Sequence, residues 1–150
     1  MKRISKNSFI AFITGLILVF SACSKNNSDD TSSAVPTVAV NLSINVNSSS
    51  YTTLAQVGGI AYLANVGYRG IMLYRLSNTT IMAFDRTCTY DLPDAGGIVY
   101  ALTNGTAMCV DCNSIYNLYD GSVNTGPTTI GLTVYPTTFN PSTGLLTIKN

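Results

Sequence analysis

Val38, Val40, Leu42, Ile44 and Val46 alternate without a break with Ala39, Asn41, Ser43, Asn45 and Asn47. A two-residue period puts the apolar side chains on one face of an extended chain and the others on the opposite face, so this segment reads as a strand with one buried face. No convincing amphipathic helical period follows it. Ile60–Val66, Ile71–Leu76, Thr80–Asp85, Ile98–Leu102, Thr106–Val110, Leu132–Tyr135 and Leu145–Ile148 read as further short strands. Between them lie Gly58-Gly59, Gly67, Gly70, Ser77-Asn78, Asp120-Gly121 and Ser142-Thr143-Gly144, which read as breaks and turns, and Asn104-Gly105, which has the residues of a tight hairpin. Many short strands with Gly-rich turns and no internal repeat predict an all-β fold, an antiparallel sandwich or barrel spanning 35–150. The abundance of Thr, Val and Ile, with nine Tyr, fits that class, because β-branched and aromatic side chains suit a pleated, half-buried surface.

The residues that are missing narrow the chemistry. The chain has no His, and its seven acidic residues are all Asp. Without an imidazole there is no ordinary general base for a serine or cysteine hydrolase, and no zinc hydrolase site built on His. Thiolate, phenolate, carboxylate and hydroxyl remain, and a binding or electron-transfer module is expected rather than a catalyst. Past residue 22 the basic residues are Lys25, Arg69, Arg75, Arg86 and Lys149 against the seven Asp, a net charge of −2. No basic face is available to neutralise phosphates, which sets nucleic-acid binding aside.

The first residues carry a targeting pattern. Lys2, Arg3 and Lys6 precede the apolar run Phe9–Phe20, and Ser21-Ala22-Cys23 closes it. A cationic start, a short apolar stretch and small residues before a cut make a secretory signal peptide, and the stretch is too short for the roughly 20 residues that span a bilayer. Phe20-Ser21-Ala22-Cys23 resembles a bacterial lipobox, with Phe20 where Leu is usual. The resemblance implies cleavage after residue 22, a lipid on Cys23, and anchoring in the bacterial cell envelope, at the periplasmic or outer-membrane surface. Residues 23–34 read as a flexible tether. An envelope redox or assembly protein is the expected partner besides the membrane.

Three cysteines remain: Cys88, Cys109 and Cys112. Cys88 closes Met82-Ala83-Phe84-Asp85-Arg86-Thr87-Cys88, and Tyr90 follows one residue later. Cys109-Val110-Asp111-Cys112-Asn113-Ser114 leads through Tyr116 and Gly121 to Gly126-Pro127 and the segment Leu132–Tyr135. This ordered set resembles the Rieske family, over roughly Gly67 to Ile148. The resemblance implies a Rieske-like β-sandwich with two cluster-binding-type loops. In it Cys88 and Cys109 match the two cysteine ligands, and Ser114 matches the serine that hydrogen-bonds a cluster sulfide. Tyr116 matches the loop aromatic, Gly121 the turn glycine and Gly126-Pro127 the lid.

Two departures follow from the same comparison. Tyr90 and Cys112 stand where the family has its two His ligands, and Pro93 and Asp111 stand where the cysteines of a bracing disulfide fall. In a Rieske centre two Cys hold one iron and two His the other. One reading keeps a [2Fe–2S] cofactor on Cys88, Cys109 and Cys112, with Tyr90 or Asp111 as fourth ligand and a potential below that of true Rieske centres. A second keeps the fold and loses the cluster, and the family arrangement then implies a Cys88–Cys109 disulfide, contributing on the order of 3 kcal/mol. A reactive thiol centre, a zinc site with three Cys and one oxygen ligand, and an unrelated β-sandwich lipoprotein are the further alternatives. An oxygenase role is not expected, since that chemistry needs a larger catalytic domain carrying non-haem iron. Asp85 and Arg86 read as a solvated strand end.

Overall fold

A computed structural model describes residues 35–90 and 97–150. The strands are β1 (Asn41–Asn45), β2 (Ile60–Leu63), β3 (Ile71–Arg75), β4 (Ile81–Asp85), β5 (Val99–Ala101), β6 (Thr106–Cys109), β7 (Ile115–Asn117), β8 (Val123–Thr125), β9 (Val134–Tyr135), β10 (Thr137–Asn140) and β11 (Leu145–Lys149). A 3₁₀ segment, Ser49–Ala55, follows β1 and buries Leu54. Every strand pairing is antiparallel, so the all-β class read from the sequence holds. Among the described residues no helix is long and apolar enough to cross a membrane.

The strands form three sheets, ordered β1-β11-β10, β2-β3-β4-β9 and β5-β6-β7-β8. The sheet containing β3 and β4 has core on both faces. Ile71, Leu73, Ile81 and Ala83 pack with Val40, Leu54, Leu146 and Ile148. The alternate residues Met72, Tyr74 and Phe84 pack with Val99, Ala107, Tyr116, Leu118 and Leu132. A strand buried on both sides has no use for polar alternation, which is why β3 reads Ile-Met-Leu-Tyr without a break. By contrast β1 keeps the expected alternation, with exposed Asn41, Ser43 and Asn45 around half-buried Leu42 and Ile44. The second core contains Cys88 and Cys109, so packing sets the position of both thiols.

The structure adds three strands the sequence reading left in loops, β7, β8 and β10, besides the 3₁₀ segment. It also corrects the reading of Asp85 and Arg86. Asp85 is fully buried rather than solvated. Its carboxylate accepts from the Tyr135 hydroxyl at 2.9 Å, from the backbone N–H groups of Tyr68 at 2.7 Å and Thr87 at 3.0 Å, and from the Thr87 hydroxyl. Arg86 stacks its guanidinium 4.5 Å from the ring centres of both Tyr62 and Tyr100 and donates to Val99 O at 3.2 Å. A buried carboxylate is tolerated where donors replace its lost water, and that is what β4 carries to its end.

Candidate metal centre

Cys88 lies beyond the end of β4 and Cys109 ends β6, and one segment between them holds both. Thr87 pairs with Ile98 as an isolated antiparallel bridge. The Cys88 N–H bonds Gly97 O at 2.9 Å, and the Val99 N–H bonds Arg86 O at 2.8 Å. On its other side Val99 is in register with Cys109. Gly97–Val99 is therefore a spacer with Cys88 on one edge and Cys109 on the other. Gly97 itself admits no side chain, because a Cβ there would stand 2.8 Å from Cys88 Cβ and 2.9 Å from Cys109 Sγ.

Cys112 reaches the same point through the turn from β6 to β7. Asn113 N–H bonds Cys109 O at 3.0 Å and Cys109 N–H bonds Ser114 O at 2.9 Å, closing the turn. Asn113 adopts the left-handed conformation the turn needs, φ 59°, which Asn tolerates better than most residues. The three sulfurs of Cys88, Cys109 and Cys112 all lie within 4.8 Å of one another. Cys88 Sγ and Cys112 Sγ are 3.3 Å apart. All three cysteines are free thiols, the first two buried and Cys112 half-buried. At that 3.3 Å distance Cys112 is a competitor for the expected Cys88–Cys109 pairing.

Hydroxyls surround the thiols. Ser114, fully buried, places Oγ 3.0 Å from Cys112 Sγ and accepts the Thr128 N–H at 3.1 Å, so it joins the cysteine turn to the segment after Gly126-Pro127. Tyr116 Oη stands 3.7 Å from Cys88 Sγ and 3.0 Å from Thr89 Oγ1. Thr89 Oγ1 in turn contacts Thr128 Oγ1 at 3.0 Å and donates to Ile130 O at 2.6 Å. Gly126 and Pro127 are exposed, and a Cβ on Gly126 would meet Thr128 O at 2.7 Å.

The environment separates the thiols. Burial, with the neighbouring Cys109 thiol, pushes Cys88 up to about 12. For Cys112 partial burial also acts upward, but hydrogen bonds from the Ser114 hydroxyl and backbone N–H and from the other two thiols outweigh it, and the net shift is downward. Burial pushes Tyr116 up to about 12. Cys112 therefore ionises before Cys88.

The Tyr90 side chain is 47% exposed, and the backbone N–H of this residue reaches Cys88. Asp111 is exposed, with Oδ2 3.4 Å from the point where a Gly97 Cβ would lie, so its carboxylate borders the same notch as Cys109 Sγ. Sequence reasoning missed Gly97, Thr89 and Thr128, which act through closure of the fold. The signals available for them were a Gly seven residues before the Asn104-Gly105 hairpin and Thr residues beside the Cys and Gly-Pro positions. Pro93 lies outside the described residues, as do the expected signal peptide, the tether and Cys23.

A [2Fe–2S] cluster sets a strict demand on its donors. Two bridged irons need four outer ligands, two on each metal. Cys88, Cys109 and Cys112 supply three, and their mutual spacing matches ligands sharing one metal rather than divided between two. The exposed Tyr90 phenol is a poor fourth, being outside the usual cluster ligands. The three thiols could hold a metal, and a fourth cluster ligand among the described residues would have to be an oxygen donor, Tyr90 or Asp111.

Comparison with known proteins gives one solved chain to report. It belongs to a structure described as a complex of reduced oxygenase and oxidized ferredoxin in carbazole 1,9a-dioxygenase, at 22% identity and a TM-score of 0.46, covering 63% of this chain and 82% of that one. No protein-family model matches, and no curated protein sequence matches.

Proposed function

We propose that the chain is an envelope lipoprotein, anchored through Cys23, whose β domain is of Rieske type and works as a binding or assembly module without an iron–sulfur cluster. The observation that carries this reading is the convergence of Cys88, Cys109 and Cys112 from two loops to within 4.8 Å, with the Tyr90 side chain 47% exposed. The ordered run from Cys88 through Ser114 and Tyr116 to Gly126-Pro127 supports the Rieske side of the proposal. The donor count supports the loss of the second iron's ligands. Cationic residues, an apolar run and Ser-Ala-Cys support the lipid anchor.

The test is the detergent-purified chain prepared without oxygen. Iron-free, colourless protein with no EPR signal after reduction is the expected result. Stoichiometric iron and acid-labile sulfide with a reducible EPR signal would restore an electron-transfer module and sink the clusterless reading. The anchor is tested separately: Cys23→Ser should leave the membrane fraction and lose the acyl mass, and unchanged membrane attachment would refute the lipid site.

A further inference from the structure

We propose that Cys88, Cys109 and Cys112 form a site for one thiophilic divalent ion of the zinc class. The proposal rests on the clusterless reading, because the same three sulfurs cannot serve both occupants. A tetrahedral ion with metal–sulfur bonds of about 2.3 Å holds its sulfurs about 3.8 Å apart. The three thiols already lie within 4.8 Å of one another, and Cys88 and Cys112 at 3.3 Å need only small side-chain rotations to reach that spacing. The backbone that carries them is held in advance, through Cys88 N–H to Gly97 O, Val99 in register with Cys109, and the Asn113-to-Cys109 turn bond. Ordering the donors before the ion arrives reduces the entropy lost on binding.

Two hydroxyls stand beside the sulfurs. Tyr116 Oη at 3.7 Å from Cys88 Sγ and Ser114 Oγ at 3.0 Å from Cys112 Sγ are hydroxyls able to donate to coordinated sulfur. Hydrogen bonds of this kind orient ligands and hold their charge. Charge selects the ion. Three thiolates carry −3, so a divalent ion leaves −1 in a mostly buried site, whereas a monovalent ion leaves −2, and uncompensated buried charge is costly. Binding exchanges three S–H bonds for three S–metal bonds and passes three protons to solvent. The fourth position takes an oxygen ligand on the exposed Asp111 side.

Cobalt(II) is the probe, titrated into reduced, chelator-stripped full chain in detergent without oxygen. One Co²⁺ per chain should bind, with thiolate charge-transfer and tetrahedral visible absorption, and Zn²⁺ should displace it. Cys112 is the half-buried ligand, so Cys112→Ser is the variant that keeps the fold, checked by circular dichroism. It should weaken Co²⁺ binding at least about 100-fold, the upper end of what losing a mere supporting group costs. Iron-free chain that binds no Co²⁺, or a Cys112→Ser variant that binds it as tightly as wild type, overturns the single-ion site alone. Stoichiometric iron and labile sulfide overturn it together with the clusterless reading.

Discussion

Cys109 occupies the space that a side chain at position 97 would need, its sulfur lying 2.9 Å from the ideal Cβ position of Gly97. Both neighbours at that point belong to the sulfur cluster, since Cys88 Cβ is 2.8 Å away. Gly97→Ala must therefore push the two cysteine segments apart. Overpacking a filled interior costs about 1–3 kcal/mol, and urea unfolding of the reduced chain should show a loss in that range. Gly58 separates crowding from backbone strain. Its φ is +85° but nothing lies within 4 Å of its Cβ position, so Gly58→Ala should cost only the left-handed strain of about 1 kcal/mol. Equal losses in the two variants, with unchanged metal binding in both, would contradict the role given to Gly97.

Asp85 governs a second buried cluster, set off from the thiols. Removing its carboxylate by Asp85→Ala strands the Tyr135 and Thr87 hydroxyls and the Tyr68 and Thr87 N–H groups. An unsatisfied buried donor costs about 1–3 kcal/mol, and with water re-entering part of the space the total should be about 3 kcal/mol or more. Gly67→Ala should act through the same group, because a Cβ there would fall 2.7 Å from Asp85 Oδ2 and 2.9 Å from the Tyr135 hydroxyl. The two variants share partners, so their effects should fall short of additive in a double-mutant cycle. Additive losses would show that they act independently.

The strands legible in the sequence were those with strong local patterning. The alternation at β1 and the apolar runs of β3 and β4 carry their burial in their own residues. By contrast β7 and β8 have three residues each, too few for a period to register, and β10 lies between Pro136 and Pro141. The thiols were legible because Cys is rare and their spacing is ordered. Asp85 was misread because a charged residue beside an Arg at a strand end looks solvated, and the donors that bury it come from Tyr68, Thr87 and Tyr135, the last 50 residues away.

The thiols should differ in reactivity. Thiolate is the nucleophile, and Cys112 combines a lowered pKa with partial exposure, whereas Cys88 is buried and pushed up to about 12. In reduced, metal-free chain near neutral pH, iodoacetamide should label Cys112 at least about 10-fold faster than Cys88, read by peptide mass spectrometry. Replacing Ser114 with Ala removes a hydrogen bond that holds the Cys112 pKa down, so the labelling rate at that pH should fall. Faster labelling of Cys88 than of Cys112 would contradict the burial of Cys88.

Alkaline pH should unfold the domain through groups that are buried in their protonated forms. Burial raises Cys88 from 9.0 to about 12 and Tyr116 from 10.0 to about 12. Burial and the Asp85 carboxylate also raise Tyr135. For an acid whose folded pKa lies above its unfolded one, the unfolded chain releases the proton more readily. The stabilisation is thus complete below the unfolded pKa and is lost as pH rises toward the folded value. These groups should leave the melting temperature of the reduced, metal-free chain unaffected up to about pH 9 and lower it progressively from there to about pH 12. Tyr116→Phe removes one of these groups and should make the decline above pH 10 shallower. It should also cost about 1 kcal/mol at neutral pH, where the hydrogen bonds to Thr89 are lost. A variant whose melting temperature falls as steeply as wild type across that alkaline range would show that Tyr116 keeps an ordinary phenol pKa, and that its hydroxyl is not held in the buried network beside Cys88.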